Sequence, residues 1–322
     1  MKIVFHGTNA GTFLPGFAER LGGRHEIVGV PDIPTEPTDI EAFAAAEVLV
    51  GIRLDGSLPK PERLRLYHAP AAGIDAIDRG CLPPGVPLCN APGHEQAIAE
   101  YVFAALLQRY HPLRQADSEL RQGKWSSFWA GLPTTVRPEM GDSTLGVLGY
   151  GNIGKAVARL GRAFGMRVVV ANRSTVAVSA AVDESFGLDQ LGRFMAAADT
   201  IVVTLPLTPD TQGLVGAAAL AAMRPGAVIV NVGRGAVIQE AALYESLSAR
   251  RIGGAIIDTW YVYPTKDRPE TQPARYPFHE LANIVMTPHM SGWTEGTIRR
   301  RQQVVAQNIG RLIRGEPLTH VV

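Results

Sequence analysis

Two side chains stand where they could act on a small anionic molecule. Arg234 lies between Gly233 and Gly235, directly after the apolar run Ala227-Val-Ile-Val-Asn-Val232. A guanidinium placed there can reach into a cleft and offer a fork of donors to carboxylate and carbonyl oxygens together. By position alone, a surface arginine in a turn fits equally well. His289 follows Pro288 and another apolar run. Imidazole titrates near neutrality, so this residue can serve as acid and as base, although a solitary histidine is more often structural. Asp258 ends the run Gly254-Ala-Ile-Ile, at the carboxyl edge of a sheet, where ligands of open α/β sheets bind. Capping a helix is its plainer use. Ala72 and Gly73 form a small-residue turn whose bare N–H groups suit a carboxylate, or simply make a turn.

A glycine turn organises the elements around these residues. In Thr144-Leu-Gly-Val-Leu-Gly-Tyr-Gly-Asn-Ile-Gly154, residues Gly149, Gly151 and Gly154 spell G-x-G-x-x-G. Residues 145–148 predict a buried strand, and 152–164 carry apolar residues at helical spacing. Gly149 allows the turn, Gly151 admits a pyrophosphate to the backbone, and Gly154 lets helix and strand pack closely. A glycine-rich turn of an ordinary α/β protein is the plainer alternative. The second strand expected at 167–171 favours the dinucleotide. An NAD site calls for an acidic residue at the end of that strand to hold ribose hydroxyls. Here the sequence is Asn172-Arg173-Ser174-Thr175, with no Asp or Glu anywhere from 143 to 182. Arg173 would attract the 2′-phosphate that a carboxylate repels, which predicts NADP(H); an NAD enzyme with indifferent ribose contacts is the alternative.

Short apolar runs at 2–6, 26–30, 48–52 and 64–68 alternate with helical stretches such as 40–46, the pattern of a parallel sheet covered by helices. A long helical pattern over 94–121, interrupted by Pro112, bridges out of this first domain and leads to a loop bearing Pro133 and Pro138. After the glycine turn, further strands are expected at 167–171, 200–205, 227–232, 254–258 and 283–287. The arginine-rich helix at 294–313 follows that sheet and crosses back onto the first domain, which makes that domain discontinuous.

The whole chain is unexceptional in composition. Its 322 residues suit two domains, 46% are hydrophobic, 19% are charged and the net charge is +1. This balance argues against nucleic acid or an anionic membrane as main partner. No apolar run approaches the roughly 18 residues of a membrane span, and the first residues read as a strand rather than a signal peptide. Cys81 and Cys89 make neither a disulfide framework nor a metal-ligand spacing, which suits two thiols in a reducing cytoplasm.

Taken in order, the motifs resemble the D-2-hydroxyacid dehydrogenase family over most of the chain: Ala71-Ala-Gly-Ile-Asp75, the 149–154 turn, Leu205-Pro-Leu-Thr-Pro209, Asn231-Val-Gly-Arg-Gly235, Gly254-Ala-Ile-Ile-Asp258 and Thr287-Pro-His289. The resemblance implies an α/β chain of two Rossmann-like domains with doubly wound parallel sheets. A cofactor domain at 98–291 would be inserted into a substrate domain at 1–97 and 292–322, with the active site in the cleft. It further implies a homodimer that moves hydride between NAD(P)H and a 2-oxo acid, with no metal. On that pattern Arg234 polarises the ketone and binds substrate, His289 donates the proton, and Ala72 and Gly73 hold the substrate carboxylate. Gly149, Gly151, Asn152, Ile153, Gly154, Asn172, Arg173, Ser174, Leu205, Pro206, Val232, Gly233, Asp258, His289 and Gly292 bind the cofactor, with Asp258 at its nicotinamide end.

The sequence departs from the family at one catalytic position. Where the family has a Glu before a proline, hydrogen-bonded to the histidine, Tyr263 precedes Pro264. A phenol orients an imidazole without supplying charge. Tyr263 is therefore expected to touch His289 and leave it titrating lower than a Glu would; Glu270, in the next loop, does not match the spacing. The formate dehydrogenase branch also lacks this Glu, having Gln, and Asp258-Thr-Trp260 resembles that branch. The leading expectation is an NADP-preferring reductase of glyoxylate or hydroxypyruvate type that makes a D-2-hydroxy acid. Oxidation of formate or phosphite is the alternative within enzymes, and a catalytically silent dinucleotide sensor the alternative outside them.

Overall fold

Strand β1 (Lys2–His6) turns Ile3 and Phe5 into one apolar cluster and Val4 into another, as the two-residue period of a strand requires. Both faces are buried, and so the strand reads as a continuous apolar run. The computed structural model of the chain describes residues 1–125, 127–130, 136–265 and 268–322; Pro133, expected in a loop, lies outside them. The chain divides into two units, Met1–His94 with Trp293–Val322, and Glu95–Gly292 between those pieces.

In the smaller unit, β1 is joined by β2 (Glu26–Val30), β3 (Val48–Gly51), β4 (Leu66–His68) and β5 (Leu88–Cys89). The strands are all parallel, in the order β2-β1-β3-β4-β5. On one face Phe13, Phe17, Val305 and Ile309 pack against Ile3, Phe5, Val48 and Val50. The helix Glu295–Arg314 thus packs in this unit. On the other face Phe43 and Tyr67 close over Val4 and Leu49. The last residues run along β5: Val322 N–H donates to the Leu88 carbonyl, and Asn90 N–H to that of His320. Fully buried Asn308 ties this tail to the sheet. Its amide donates to His68 Nε2 at 3.0 Å and to the Thr319 carbonyl at 2.8 Å, while its oxygen accepts from the Thr319 N–H and hydroxyl.

The larger unit holds β6 (Thr144–Leu148), β7 (Arg167–Asn172), β8 (Glu184–Gly187), β9 (Thr200–Val203), β10 (Val228–Asn231), β11 (Gly254–Ile257) and β12 (Ile284–Met286). Their order, β12-β11-β10-β9-β6-β7-β8, is parallel throughout. It reverses between β6 and β9, the doubly wound arrangement whose switch point favours ligands at the strands' carboxyl ends. The long helical pattern expected at 94–121 is two helices, Glu95–Tyr110 and Leu113–Leu120, parted at Pro112. The first buries Ile98, Val102, Phe103 and Leu106 in the larger unit's core. Strands β5 and β8, not expected from the sequence, are a two-residue edge pairing and an edge strand with one buried residue, Phe186. No helix among the described residues is long and apolar enough to cross a membrane.

Candidate active site

The segments that follow the strands of the larger unit all leave the same carboxyl edge of its sheet, because its seven strands run the same way. The glycine turn follows β6. Gly149 takes φ +100°, a conformation that only glycine adopts cheaply. Its carbonyl accepts the Thr204 hydroxyl at 2.7 Å. A Cβ on Gly154 would collide with that same carbonyl, whereas one on Gly151 would meet nothing. The turn is therefore packed tightly on its inner side and open on its outer side, where the helix Asn152–Ala163 begins and its first N–H groups have no partner within the helix. Asn152 is exposed and Ile153 half-buried beside the core. A turn open on that side has the shape to hold a pyrophosphate.

The end of β7 supports that cradle. Asn172 accepts the Tyr150 N–H at 3.2 Å and donates to the Ser174 carbonyl at 3.1 Å, so its side chain holds the glycine turn in place. Arg173 and Ser174 beside it are exposed. Among the described residues Arg173 has no acidic partner, which leaves its guanidinium available to an anion.

Arg234 owes its place to its neighbours. A Cβ on Gly233 would lie 2.6 Å from the Leu205 carbonyl oxygen, and one on Gly235 would collide with that of Trp260. Only glycines let the backbone thread between those loops. Buried Asn231 clamps the turn, accepting the Gly233 N–H at 3.1 Å and donating to the Arg234 carbonyl at 3.0 Å. Leu205 and Val232 are buried against this segment, while Pro206 is exposed.

His289 adopts φ +56°, a strained left-handed conformation for a histidine. Asp258 holds it there. Fully buried, its carboxylate accepts from the Thr287 hydroxyl at 2.6 Å and from the N–H groups of Met290 and Ser291, each at 2.9 Å. These contacts, on both sides of His289, fix the loop that ends beside Gly292. Tyr101 extends the network through the Thr287 hydroxyl at 2.6 Å, and the Trp260 indole N–H donates to the Thr287 carbonyl at 2.8 Å.

Tyr263 Oη lies 3.0 Å from His289 Nδ1 and accepts the Trp260 N–H at 3.1 Å. Glu270 is exposed. Withdrawal from water lowers the His289 pKa most; Asp258 opposes this and the Arg234 charge adds to it. Burial raises the Tyr263 pKa, against the Trp260 N–H and the Arg234 charge. Arg234 thus bears electrostatically on both rings, and imidazole and phenol are in hydrogen-bond contact. Ala72 and Gly73 belong to the smaller unit, after β4, where the Ala72 carbonyl accepts Asn90 Nδ2 at 2.8 Å. The supporting roles of Asn231, Thr287, Trp260 and Tyr101 were not read from the sequence, although Asn231 and Thr287 lie within the recognised motifs.

Residues 103–291 match the model of the D-isomer specific 2-hydroxyacid dehydrogenase NAD-binding domain. The chain belongs to the D-isomer specific 2-hydroxyacid dehydrogenase family. It is 31% identical to a glyoxylate reductase of Aeropyrum pernix over 80% of this chain and 76% of that one. It is also 31% identical to the D-3-phosphoglycerate dehydrogenase of Methanocaldococcus jannaschii over 92% of its own length, but spans only 56% of that relative. A family structure from Xanthobacter autotrophicus Py2, in complex with NADPH and MES, superposes with a TM-score of 0.80 at 26% identity, covering 99% of this chain and 97% of that one.

Proposed function

We propose that the chain is an NADP-preferring oxidoreductase that reduces a small 2-oxo acid, of glyoxylate or hydroxypyruvate type, to the D-2-hydroxy acid. The observation that carries this reading is that Arg234, after β10, and His289, after β12, leave the same carboxyl sheet edge that bears the open glycine turn. The residues present fit a dinucleotide: Gly151 leaves room for the pyrophosphate at the helix start, and Arg173 with Ser174 offers donors to a 2′-phosphate. When bound, the reduced nicotinamide supplies a hydride.

The chain's own residues do the rest. Arg234 orients the substrate carboxylate and draws charge onto the ketone oxygen. His289 delivers the proton that the oxygen needs. Asp258 keeps the histidine loop in its strained conformation, and Leu205, Pro206, Val232, Gly233 and Gly292 line the coenzyme's path along the sheet edge. The larger unit is assigned to the coenzyme, and the smaller to the substrate carboxylate through the N–H groups of Ala72 and Gly73. The resemblance to the family supports a cytoplasmic homodimer.

A phenol in place of a carboxylate favours a second reading, oxidation of formate or phosphite, because neither releases a proton from a carbon-bound hydroxyl. The deciding experiment compares NADPH and NADH consumption with a panel of 2-oxo acids against NADP⁺ reduction driven by formate or phosphite. Oxo-acid reduction with a higher kcat/KM for NADPH is expected. A preference for NADH would overturn the cofactor assignment, and turnover of formate or phosphite alone would replace the first reading with the second. Coenzyme binding without turnover of any of these substrates would point to a sensor.

A further inference from the structure

Tyr263 makes two hydrogen bonds, and their directions determine each other. Its oxygen accepts the Trp260 N–H at 3.1 Å, and its other contact is His289 Nδ1 at 3.0 Å. If Nδ1 carried the proton, the phenol oxygen would accept twice and its own O–H would be left to solvent. With the phenol as donor, its hydrogen is used within the chain. Nδ1 then accepts, and the proton of a neutral imidazole must sit on Nε2. A carboxylate at position 263 would impose the opposite arrangement, a proton on Nδ1 and a stabilised imidazolium.

We propose that Tyr263 and His289 form a proton relay in which the imidazole stays neutral, passing a proton from Nε2 to substrate while receiving one from the phenol at Nδ1. The proposal rests on the reductase reading above. As the substrate's oxygen–hydrogen bond forms, the Nε2–H bond breaks; the Tyr263 O–H bond breaks as Nδ1–H forms. The phenolate keeps the Trp260 N–H and recovers its proton from water, which reaches it because Tyr263 is 44% exposed. No co-reactant is needed beyond the hydride donor already named. The charged and titratable groups facing the imidazole are Arg234 after β10, Asp258 after β11 and Tyr263 itself. Partial burial and Arg234 act together to keep it neutral, and Asp258 is already satisfied by three donors from the histidine loop. Tyr263 is thereby a positioning residue that also moves a proton.

Two measurements test this independently. Nitrogen-15 NMR of the coenzyme-free full chain, with His289 assigned by comparison with His289→Asn, reads the tautomer without reference to activity. A protonated Nε2 and an accepting Nδ1 are expected; a protonated Nδ1 at neutral pH would overturn the relay. The second is the pH dependence of oxo-acid reduction. The wild type should hold its kcat/KM above the imidazole titration. Tyr263→Phe, which must use imidazolium, should lose about tenfold per pH unit there, and Tyr263→Glu should carry its decline to higher pH. Superimposed wild-type and Tyr263→Phe profiles would contradict the relay. Failure to reduce any oxo acid would reject the reductase reading while leaving the tautomer result standing.

Discussion

On the proposed function, Arg173 is the residue on which the choice of coenzyme turns. It is exposed, it lies one residue beyond β7, and the nearest acidic residues in sequence are Asp142 and Asp183. The neighbouring Asn172 is already committed to the glycine turn, so a 2′-phosphate would depend on the guanidinium more than on the amide. A hydrogen bond to a charged group contributes about 1.5–3 kcal/mol, or roughly 10- to 100-fold in affinity. Arg173→Ala should lower kcat/KM for NADPH by about that factor and leave NADH nearly unchanged. Steady-state kinetics with both coenzymes checks this, and equal losses would remove the assignment. The replacement of Glu by Tyr263 was legible because the family pattern fixes the position five residues beyond Asp258, and the expected contact with His289 is present at 3.0 Å. The proton's location on the ring was not legible, since it depends on the Trp260 N–H arriving from the backbone.

At the scale of the element, the loop 287–291 shows how a strained backbone is held. A positive φ at a non-glycine costs of order 1–3 kcal/mol and persists only where its surroundings over-determine it. Asp258 does this with contacts on both sides of His289. Asp258→Asn would set an amide N–H₂ against donors that now find oxygens. It should lower the melting temperature and reduce kcat by a larger factor than it raises KM, because the imidazole is displaced more than the substrate. Differential scanning fluorimetry with initial rates tests this; unchanged kcat would show that the loop holds itself. The sequence made the strands around this loop legible because most are runs of Val and Ile buried on both faces. It hid β8, whose Glu-Ser-Phe-Gly has one buried apolar residue, and β5, which lies between prolines. It also hid the buried clamps, since an Asn or Thr finds its partner only through tertiary contact. Asp258 was read as a coenzyme ligand; its hydrogen bonds within the chain go to the histidine loop.

For the molecule as a whole, the closing device is the C-terminal tail on the smaller sheet. Burial lowers the pKa of His68 to about 4, and Asn308 donates to its Nε2. Between pH 6.5 and 4 the unfolded chain therefore binds a proton that the folded chain refuses, so stability falls as pH drops through that window. The shift corresponds to about 3 kcal/mol by its lower end. His6, also lowered mainly by burial, acts in the same direction. Thermal melts from pH 7 to pH 4 should show this decline, and His68→Gln should flatten it; parallel slopes would assign the loss elsewhere. Neither this network nor the tail's pairing with β5 was expected from the sequence, because His68 and its partner Asn308 lie 240 residues apart.

Arg234 is the group proposed to hold and polarise the substrate. Single-turnover oxidation of bound NADPH by glyoxylate or hydroxypyruvate should slow by about 100-fold or more in Arg234→Ala, the scale for losing one charge-stabilising donor, while the Kd for NADPH stays within about twofold. An Arg234→Ala protein that oxidises NADPH at the wild-type rate would contradict it.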